Sequence, residues 1–152
     1  MPKIDIDALA LIAATGYPPP FDKAVQGRAR KRLGHAAGLT QFGVNLLRLK
    51  PGAASSQRHW HDNEDEFAYV LEGEVVLRED DGETVLKPGD AAGWKAGSPN
   101  GHQLINRSER DALVLEVGTS APAEKVTYPD IDMLFERTGT NRKYTRKSGE
   151  PY

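Results

Sequence analysis

The chain has 152 residues, a length typical of one domain with its own core, and we expect a single domain over residues 1–152. Its 20 basic and 22 acidic side chains leave a formal charge of −2, which gives no electrostatic reason to expect a nucleic acid or an anionic membrane as a partner. Cysteine is absent, so disulfides and thiolate ligands are excluded, and the composition favours a cytoplasmic location.

The N-terminal flank, residues 1–41, gives no sign of targeting. Its most apolar run, ALALIAA at residues 8–14, is too short to span a bilayer, and acidic residues precede it. A basic run, RARKRLGH, follows at residues 28–35. No glycine-rich loop or helix start accompanies the basic run, so we expect a solvated face in preference to a phosphate site.

The central region, about residues 42–118, has the pattern of an all-β barrel or sandwich. Prolines and glycines punctuate it, and the segments between them are short and apolar or alternating. The Asp-Gly in EDDGE at residues 79–83 predicts an antiparallel hairpin. The candidate strands occupy residues 42–50, 66–73, 74–79, 83–87, 91–95, 101–107 and 112–118.

The segment RHWHDNEDEF at residues 58–67 places two of the four histidines beside four carboxylates. On an extended strand His59 and His61 point the same way. In a strand that starts at Glu66, that carboxylate can face the barrel interior, whereas Glu64 and Asp65 suit the preceding turn. Imidazole and carboxylate together suit zinc, iron, manganese, nickel or copper, and a polar turn with incidental histidines is the alternative.

An internal similarity brings in a third histidine. LKPGA at residues 49–53 recurs as LKPGD at residues 86–90, and each Pro-Gly ends a strand with a turn. A histidine follows each turn, namely His59 and His102. We therefore expect two similar turn-plus-strand units that bring histidines to one place.

The C-terminal flank, residues 119–152, is polar but contains tyrosine and phenylalanine residues spread along its length. Aromatic side chains of this kind need a surface to cover them. We expect this flank to pack on the barrel or on a partner subunit, and we predict a homodimer.

Two motifs of this chain resemble those of the cupin superfamily. The first consists of Gly52, His59-Trp60-His61, Glu66 and Gly73, with one extra residue in its first gap. The second consists of Gly89, Lys95-Ala96-Gly97, His102 and Asn106, with a lysine where proline is usual and two extra residues before the histidine. The resemblance covers about residues 42–118.

The resemblance implies an all-β cupin double-stranded β-helix, a jelly-roll-like barrel with short N- and C-terminal extensions. It also implies a ligand site at the open end of the barrel and one divalent metal ion, held by His59, His61, Glu66 and His102. This ligand set does not select between zinc, manganese, iron and nickel. More narrowly, the chain resembles small bacterial cupins, some of which are described as sugar phosphate isomerase-like.

The function expected from these features is binding or conversion of a small polar molecule. An isomerase-like metal-dependent enzyme is the first interpretation, with a non-catalytic binding or sensor protein and a metal-dependent oxygenase as alternatives. Gln57, Arg58 and Lys95 lie near the motifs and could contact a substrate, or could occupy rim and solvent positions. The sequence assigns no catalytic residue.

Overall fold

The computed structural model describes residues 3–152, and within them it has twelve β-strands and two short helices. The helices are a 3-10 helix, Phe21–Val25, and an α-helix, Leu33–Ala36. The strands are β1 (Arg28–Arg32), β2 (Phe42–Leu49), β3 (Trp60–His61), β4 (Glu66–Glu72), β5 (Val75–Glu79), β6 (Gly82–Leu86), β7 (Ala91–Trp94), β8 (Gln103–Ile105), β9 (Ala112–Thr119), β10 (Ala123–Tyr128), β11 (Met133–Thr138) and β12 (Asn141–Thr145). The prediction of an all-β fold is confirmed.

The strands form two layers. One layer is a five-stranded sheet in the order β1-β2-β9-β4-β7. The other contains a four-stranded sheet, β12-β11-β10-β3, and a three-stranded sheet, β6-β5-β8. A bridge between His59 and His102 and another between Ala54 and Ile105 connect these two smaller sheets through the segment that precedes β3. All pairings between neighbouring strands described here are antiparallel.

Apolar side chains from both layers fill one part of the interior. Leu47 on β2 and Val114 on β9 pack with Val75 on β5 and Leu104 on β8, and all four are almost completely buried. Strand β4 contributes by alternation, since Ala68 and Val70 point inward while its intervening residues are exposed. Burial of this apolar surface is the main stabilising contribution to the two-layer arrangement.

Turn chemistry confirms several local predictions. The predicted hairpin is formed by β5 and β6, with Glu79 paired to Gly82. Gly52 and Gly89, which end the two similar segments, both have positive φ angles of 82° and 97°. Gly73 has a φ of 72° and, in addition, no room for a side chain, because a Cβ there would lie 2.6 Å from the carbonyl oxygen of Asp111.

The flanks contribute more regular structure than the sequence predicted. Strand β1 lies in the N-terminal flank and pairs with β2, while β10, β11 and β12 lie in the C-terminal flank. A second apolar cluster joins the two flanks, with Tyr128 and Met133 buried against Tyr17, Phe21 and Tyr144. The expectation that the aromatic tail packs on the barrel is therefore met within one chain.

One prediction about the N-terminal flank is wrong. We expected RARKR to be a solvated face, but these residues form β1, in which Arg28 and Arg30 lie opposite the buried Leu49 and Leu47 of β2. Directly paired residues of an antiparallel sheet share a face, so both arginines point inward. Strand alternation thus outweighs the tendency of clustered charges to remain in solvent.

The two helices have five and four residues, and none in residues 3–152 is long and apolar enough to cross a membrane.

Candidate metal centre

Strand pairing positions the three histidines. The backbones of His59 and His102 exchange two hydrogen bonds, with N···O distances of 3.1 and 2.8 Å. His61 lies on β3 opposite Val126 of β10, so the C-terminal flank holds this strand in place. Because side chains alternate along extended backbone, His59 and His61 both face the interior, as predicted. The two similar turn-plus-strand units do bring histidines together.

Glu66 begins β4 and reaches the same place from the opposite layer. It lies on the inward face with Ala68 and Val70, in agreement with the predicted alternation, while Phe67 and Tyr69 are exposed. Glu64 has a different role, since its carboxylate forms an ion pair with Arg137 and accepts a hydrogen bond from the backbone N–H of Ala121 at 2.9 Å. Glu64 lies before β4, as expected, and its carboxylate faces a basic side chain.

Three imidazoles converge on one carboxylate oxygen. The Nε2 atom of His102 lies 2.7 Å from Oε2 of Glu66, and the Nε2 atoms of His61 and His59 lie 3.3 and 3.4 Å from it. The ligand atoms of His59, His61 and Glu66 all lie within 4.8 Å of one another. The four residues predicted from the sequence are therefore adjacent in space.

The convergence changes the acid–base properties of these groups. Burial alone would raise the pKa of Glu66, but the hydrogen bond with His102 and the imidazoles of His59 and His61 beside it hold that pKa well below its usual value. Burial lowers the pKa of His102 and outweighs its contact with Glu66. Burial opposes the charge of His61 as well, yet the carboxylates of Glu66, Glu124 and Glu64 together raise its pKa. Glu66 is thus an anion at neutral pH.

Hydrogen bonding also selects the tautomer of His59. Its Nδ1 atom lies 2.9 Å from the carbonyl oxygen of Gln57 and 3.1 Å from Oγ of Ser56. A carbonyl oxygen can only accept, so Nδ1 bears the proton and Nε2 has a free lone pair directed toward Glu66. A hydrogen bond donated by the ring nitrogen that does not face the metal is the usual way in which proteins orient a metal-binding histidine.

A second acidic group lies on the other side of His61. The Nδ1 atom of His61 is 3.7 Å from a carboxylate oxygen of Glu64 and 3.8 Å from one of Glu124. This nitrogen has no hydrogen-bond partner within the described residues. Glu124 is already engaged, since it accepts hydrogen bonds from the backbone N–H groups of Asp62, Asn63 and Lys125. His61, Glu64 and Glu124 nevertheless form a second group whose ligand atoms all lie within 4.8 Å of one another and could hold a metal ion. The sequence analysis missed Glu124.

The site formed by Glu66 and the three histidines fits a divalent cation. Its donors are three imidazole nitrogens and one carboxylate oxygen, a set that zinc, manganese, iron and nickel all accept. The fixed tautomer of His59 leaves its inward nitrogen free for a ligand bond. Trp94 stacks on His102 with ring centroids 3.9 Å apart and an 8° angle between planes, which restricts the orientation of that imidazole. These residues could hold a metal ion.

The site opens into a cavity of about 480 Å³, within the range of small-molecule pockets. Its lining includes the four residues described above together with phenol side chains and arginines. Tyr17 and Tyr128 meet edge to face, with ring centroids 5.7 Å apart, and Tyr144 lies on the other side of Tyr17 at 5.9 Å. Burial raises the pKa of Tyr128 well above its usual value and that of Tyr144 to about 12.

Arg28 and Arg30 line this cavity, and the sequence analysis did not identify them as site residues. Arg30 forms a bidentate pair with Glu116, with N···O distances of 2.7 and 3.1 Å. Arg28 donates from Nη1 to the carbonyl oxygen of Ser55 at 2.9 Å. Their two-residue spacing predicts that they share one face of a strand, but the sequence alone does not show that this face points inward.

The three residues suggested as substrate contacts lie outside the cavity. Gln57 donates from its side-chain amide to the carbonyl oxygen of Phe21 at 2.9 Å. Arg58 forms ion pairs with Asp130 and Asp80, which raise its pKa above its usual value. Lys95 is exposed to solvent. Although these residues are close to the histidines in sequence, their side chains lie on the outer face or at the edge of the barrel.

Two polar residues near the site, Asn106 and Gln103, have structural roles. Asn106 is completely buried and donates to the carbonyl oxygens of Leu49 and Arg110 at 2.8 and 2.7 Å. Gln103 donates to the carbonyl oxygen of Ser56 at 2.7 Å. Both side chains therefore fix loops next to the site.

Comparison with known proteins finds a family model and solved structures that are similar to this chain. The family model of the cupin domain matches residues 45–118. A crystal structure from Silicibacter pomeroyi, described as a sugar phosphate isomerase from a cupin superfamily, is 47% identical to this chain. The match covers 99% of this chain and 96% of that one, with a TM-score of 0.96. No curated protein matches the chain.

More distant structures share the fold. A protein from Acidithiobacillus ferrooxidans, provisionally named a sugar phosphate isomerase, is 26% identical, with coverage of 82% of this chain and 80% of that one and a TM-score of 0.76. A polyketide cyclase from Streptomyces resistomycificus is 20% identical, with coverage of 78% and 79% and a TM-score of 0.64. At that identity the likeness concerns the fold alone.

Proposed function

This chain belongs to the cupin superfamily, and we propose that it is a metal-dependent, isomerase-like enzyme that acts on a small polar anion in its barrel cavity. The observation that supports this proposal is the convergence of three imidazole Nε2 atoms on Oε2 of Glu66. The convergence lies at the wall of a cavity that also contains two guanidinium groups. The proposed ligand set is His59, His61, Glu66 and His102.

The ligand set leaves room for a substrate. Four protein ligands leave one or two coordination positions of a divalent ion for water or substrate. When bound, such an ion would polarise an oxygen of the substrate, which makes a neighbouring C–H bond more acidic. The chain's own contribution is to orient the imidazoles through the carbonyl oxygen of Gln57 and the ring of Trp94.

The charges of the cavity favour an anionic substrate. The formally charged side chains among its lining residues are Arg28, Arg30, Glu66 and Glu116, whose charges cancel when the histidines are neutral. A divalent cation would leave two positive charges in excess, inside a partly enclosed space where charges interact strongly. A phosphoryl group, with a charge of about −1.5 to −2 at neutral pH, would come close to restoring neutrality, and a carboxylate would halve the excess.

The phenols supply groups that can donate protons or hydrogen bonds. Tyr17, Tyr128 and Tyr144 line the cavity, and their raised pKa values keep all three neutral at physiological pH. Neutral phenols can donate to hydroxyl or carbonyl oxygens of a substrate, as proton transfer in an isomerase requires. The names of the Silicibacter pomeroyi and Acidithiobacillus ferrooxidans proteins support sugar phosphates as the first substrates to test.

The test combines metal analysis with a substrate screen. The purified full chain is analysed for metals, stripped with a chelator, reloaded, and assayed with aldose and ketose phosphates by NMR spectroscopy. We expect interconversion of at least one sugar phosphate only after metal is restored. Saturable binding of sugar phosphates without any turnover, at full metal occupancy, would contradict the enzyme proposal and support a binding protein.

A further inference from the structure

Arg28 is a buried cation without an anionic partner. Its relative exposure is 8%, and within residues 3–152 its side chain makes one hydrogen bond, donated to the carbonyl oxygen of Ser55. Over residues 3–152, no carboxylate lies within ion-pair distance of its guanidinium, whereas Arg30 on the same strand face has Glu116. A buried charge is costly unless it is paired, so Arg28 is an incomplete ion pair.

A second cation increases this imbalance. Arg30 also donates to the carbonyl oxygen of Ser55, at 3.2 Å, so two guanidinium groups meet at a single acceptor. Burial and the charge of Arg30 both lower the pKa of Arg28. An anion bound in the cavity next to the guanidinium of Arg28 would relieve this repulsion.

The arginines and the proposed metal ligands are connected through one short segment. Oγ of Ser55 lies 3.3 Å from Oγ of Ser56, which lies 3.1 Å from Nδ1 of His59. Ser55 and Ser56 are both buried and line the cavity. An anionic group held by Arg28 would therefore belong to a molecule that also reaches the imidazoles.

We propose that Arg28, with Arg30 beside it, binds the anionic oxygen group of the substrate, a phosphoryl or carboxylate group. The planar guanidinium matches two oxygens of such a group, and Arg28 uses only one of its five N–H donors within the described part of the chain. The location of the reacting centre rests on the proposed function, but the anion site itself does not require a metal.

Inorganic phosphate is the probe that tests the anion site. It is titrated by calorimetry, at constant ionic strength, into the chelator-treated full chain and into two variants. Arg28→Gln removes the proposed contact, and Arg32→Gln is the matched control because Arg32 is an exposed arginine of the same strand. We expect Arg28→Gln to bind phosphate roughly ten- to a hundredfold more weakly, the usual effect of losing a charged hydrogen-bond partner, and Arg32→Gln to bind as the parent does.

Equal binding by the parent and Arg28→Gln, or an equal loss in both variants, would overturn the inference. Should Arg28→Gln fail to fold, a phosphate titration of the ¹⁵N-labelled parent decides the question. Phosphate must then shift the amide signals of residues 28–30 and 55–56, and unchanged signals there would reject the site.

Two further comparisons identify the preferred anion and distinguish this inference from the proposed function. Malonate in place of phosphate identifies a carboxylate-preferring site if it binds more tightly. Phosphate binding that depends on Arg28, in a protein that turns over no sugar phosphate, supports this inference while the proposed function fails. Metal-dependent turnover that Arg28→Gln does not weaken supports the proposed function while this inference fails.

Discussion

At the scale of single residues, the structure distinguishes two carboxylates that are only two positions apart. Glu66 faces three imidazoles from the start of a strand, whereas Glu64 is paired with Arg137. We predict that Glu66→Ala removes most metal binding and that Glu64→Ala retains it. Metal content after dialysis, measured by mass spectrometry, checks this prediction, and loss of metal from Glu64→Ala alone would show that the ligand set is wrongly drawn.

Protonation of the same imidazoles predicts a pH dependence. A histidine must be neutral to bind a metal, so protons compete with the ion as pH falls. The free imidazole pKa is about 6.5, and neighbouring carboxylates raise that of His61 in the metal-free protein. We expect metal occupancy to be constant above neutral pH and to fall as pH drops below roughly 6. Occupancy unchanged down to pH 4 in equilibrium dialysis would argue against histidine ligands.

At the scale of elements, the C-terminal flank is part of the folded core. Met133 on β11 is completely buried next to Tyr128, and β10 pairs with the strand that bears His61. We predict that Met133→Ala lowers the free energy of unfolding by about 2–5 kcal/mol, because it leaves a cavity in this cluster.

Urea denaturation measures this effect, and Leu39→Ala is the matched control. Leu39 is 43% exposed, so its truncation should change the unfolding free energy by no more than about 0.5 kcal/mol. Equal, small effects of both substitutions would mean that the flank is not part of the cooperative unit.

The central strands could be predicted from sequence because alternation and turn residues agree there. Glu66, Ala68 and Val70 share a face as expected, and the Asp-Gly hairpin forms where it was predicted. The proximity of His59, His61 and Glu66 also followed from local spacing, and that of His102 from the family resemblance. Apart from His102, these features depend on residues that are close along the chain.

The inward-facing arginines, Arg28 and Arg30, could not be predicted in the same way. Arg28 and Arg30 face the interior only because β1 pairs with β2, and RARKR by itself fits a solvated face equally well. Glu124 likewise reaches His61 through the pairing of β10 with β3. Long-range strand pairing sets these positions, and one sequence contains no direct signal of it.

At the scale of the whole molecule, the homodimer stays a prediction. Its original reason was that the aromatic side chains of the C-terminal flank needed a covering surface, but Tyr128 and Tyr144 are covered within the chain. The remaining reason is the cupin resemblance, which implies that dimers are common. Light scattering at micromolar concentration should return twice the chain mass of 16.7 kDa, and a mass equal to one chain would refute the dimer.

Metal titration of the stripped protein tests the central claim most directly. The parent, His61→Ala and His102→Ala are each equilibrated with zinc or manganese, and bound metal per chain is measured alongside circular dichroism. Because the apolar core of the barrel does not include the imidazoles, we predict about one ion per chain for the parent and loss of most metal in both variants, with the β-rich spectrum unchanged. Folded variants that bind metal as tightly as the parent would contradict the claim.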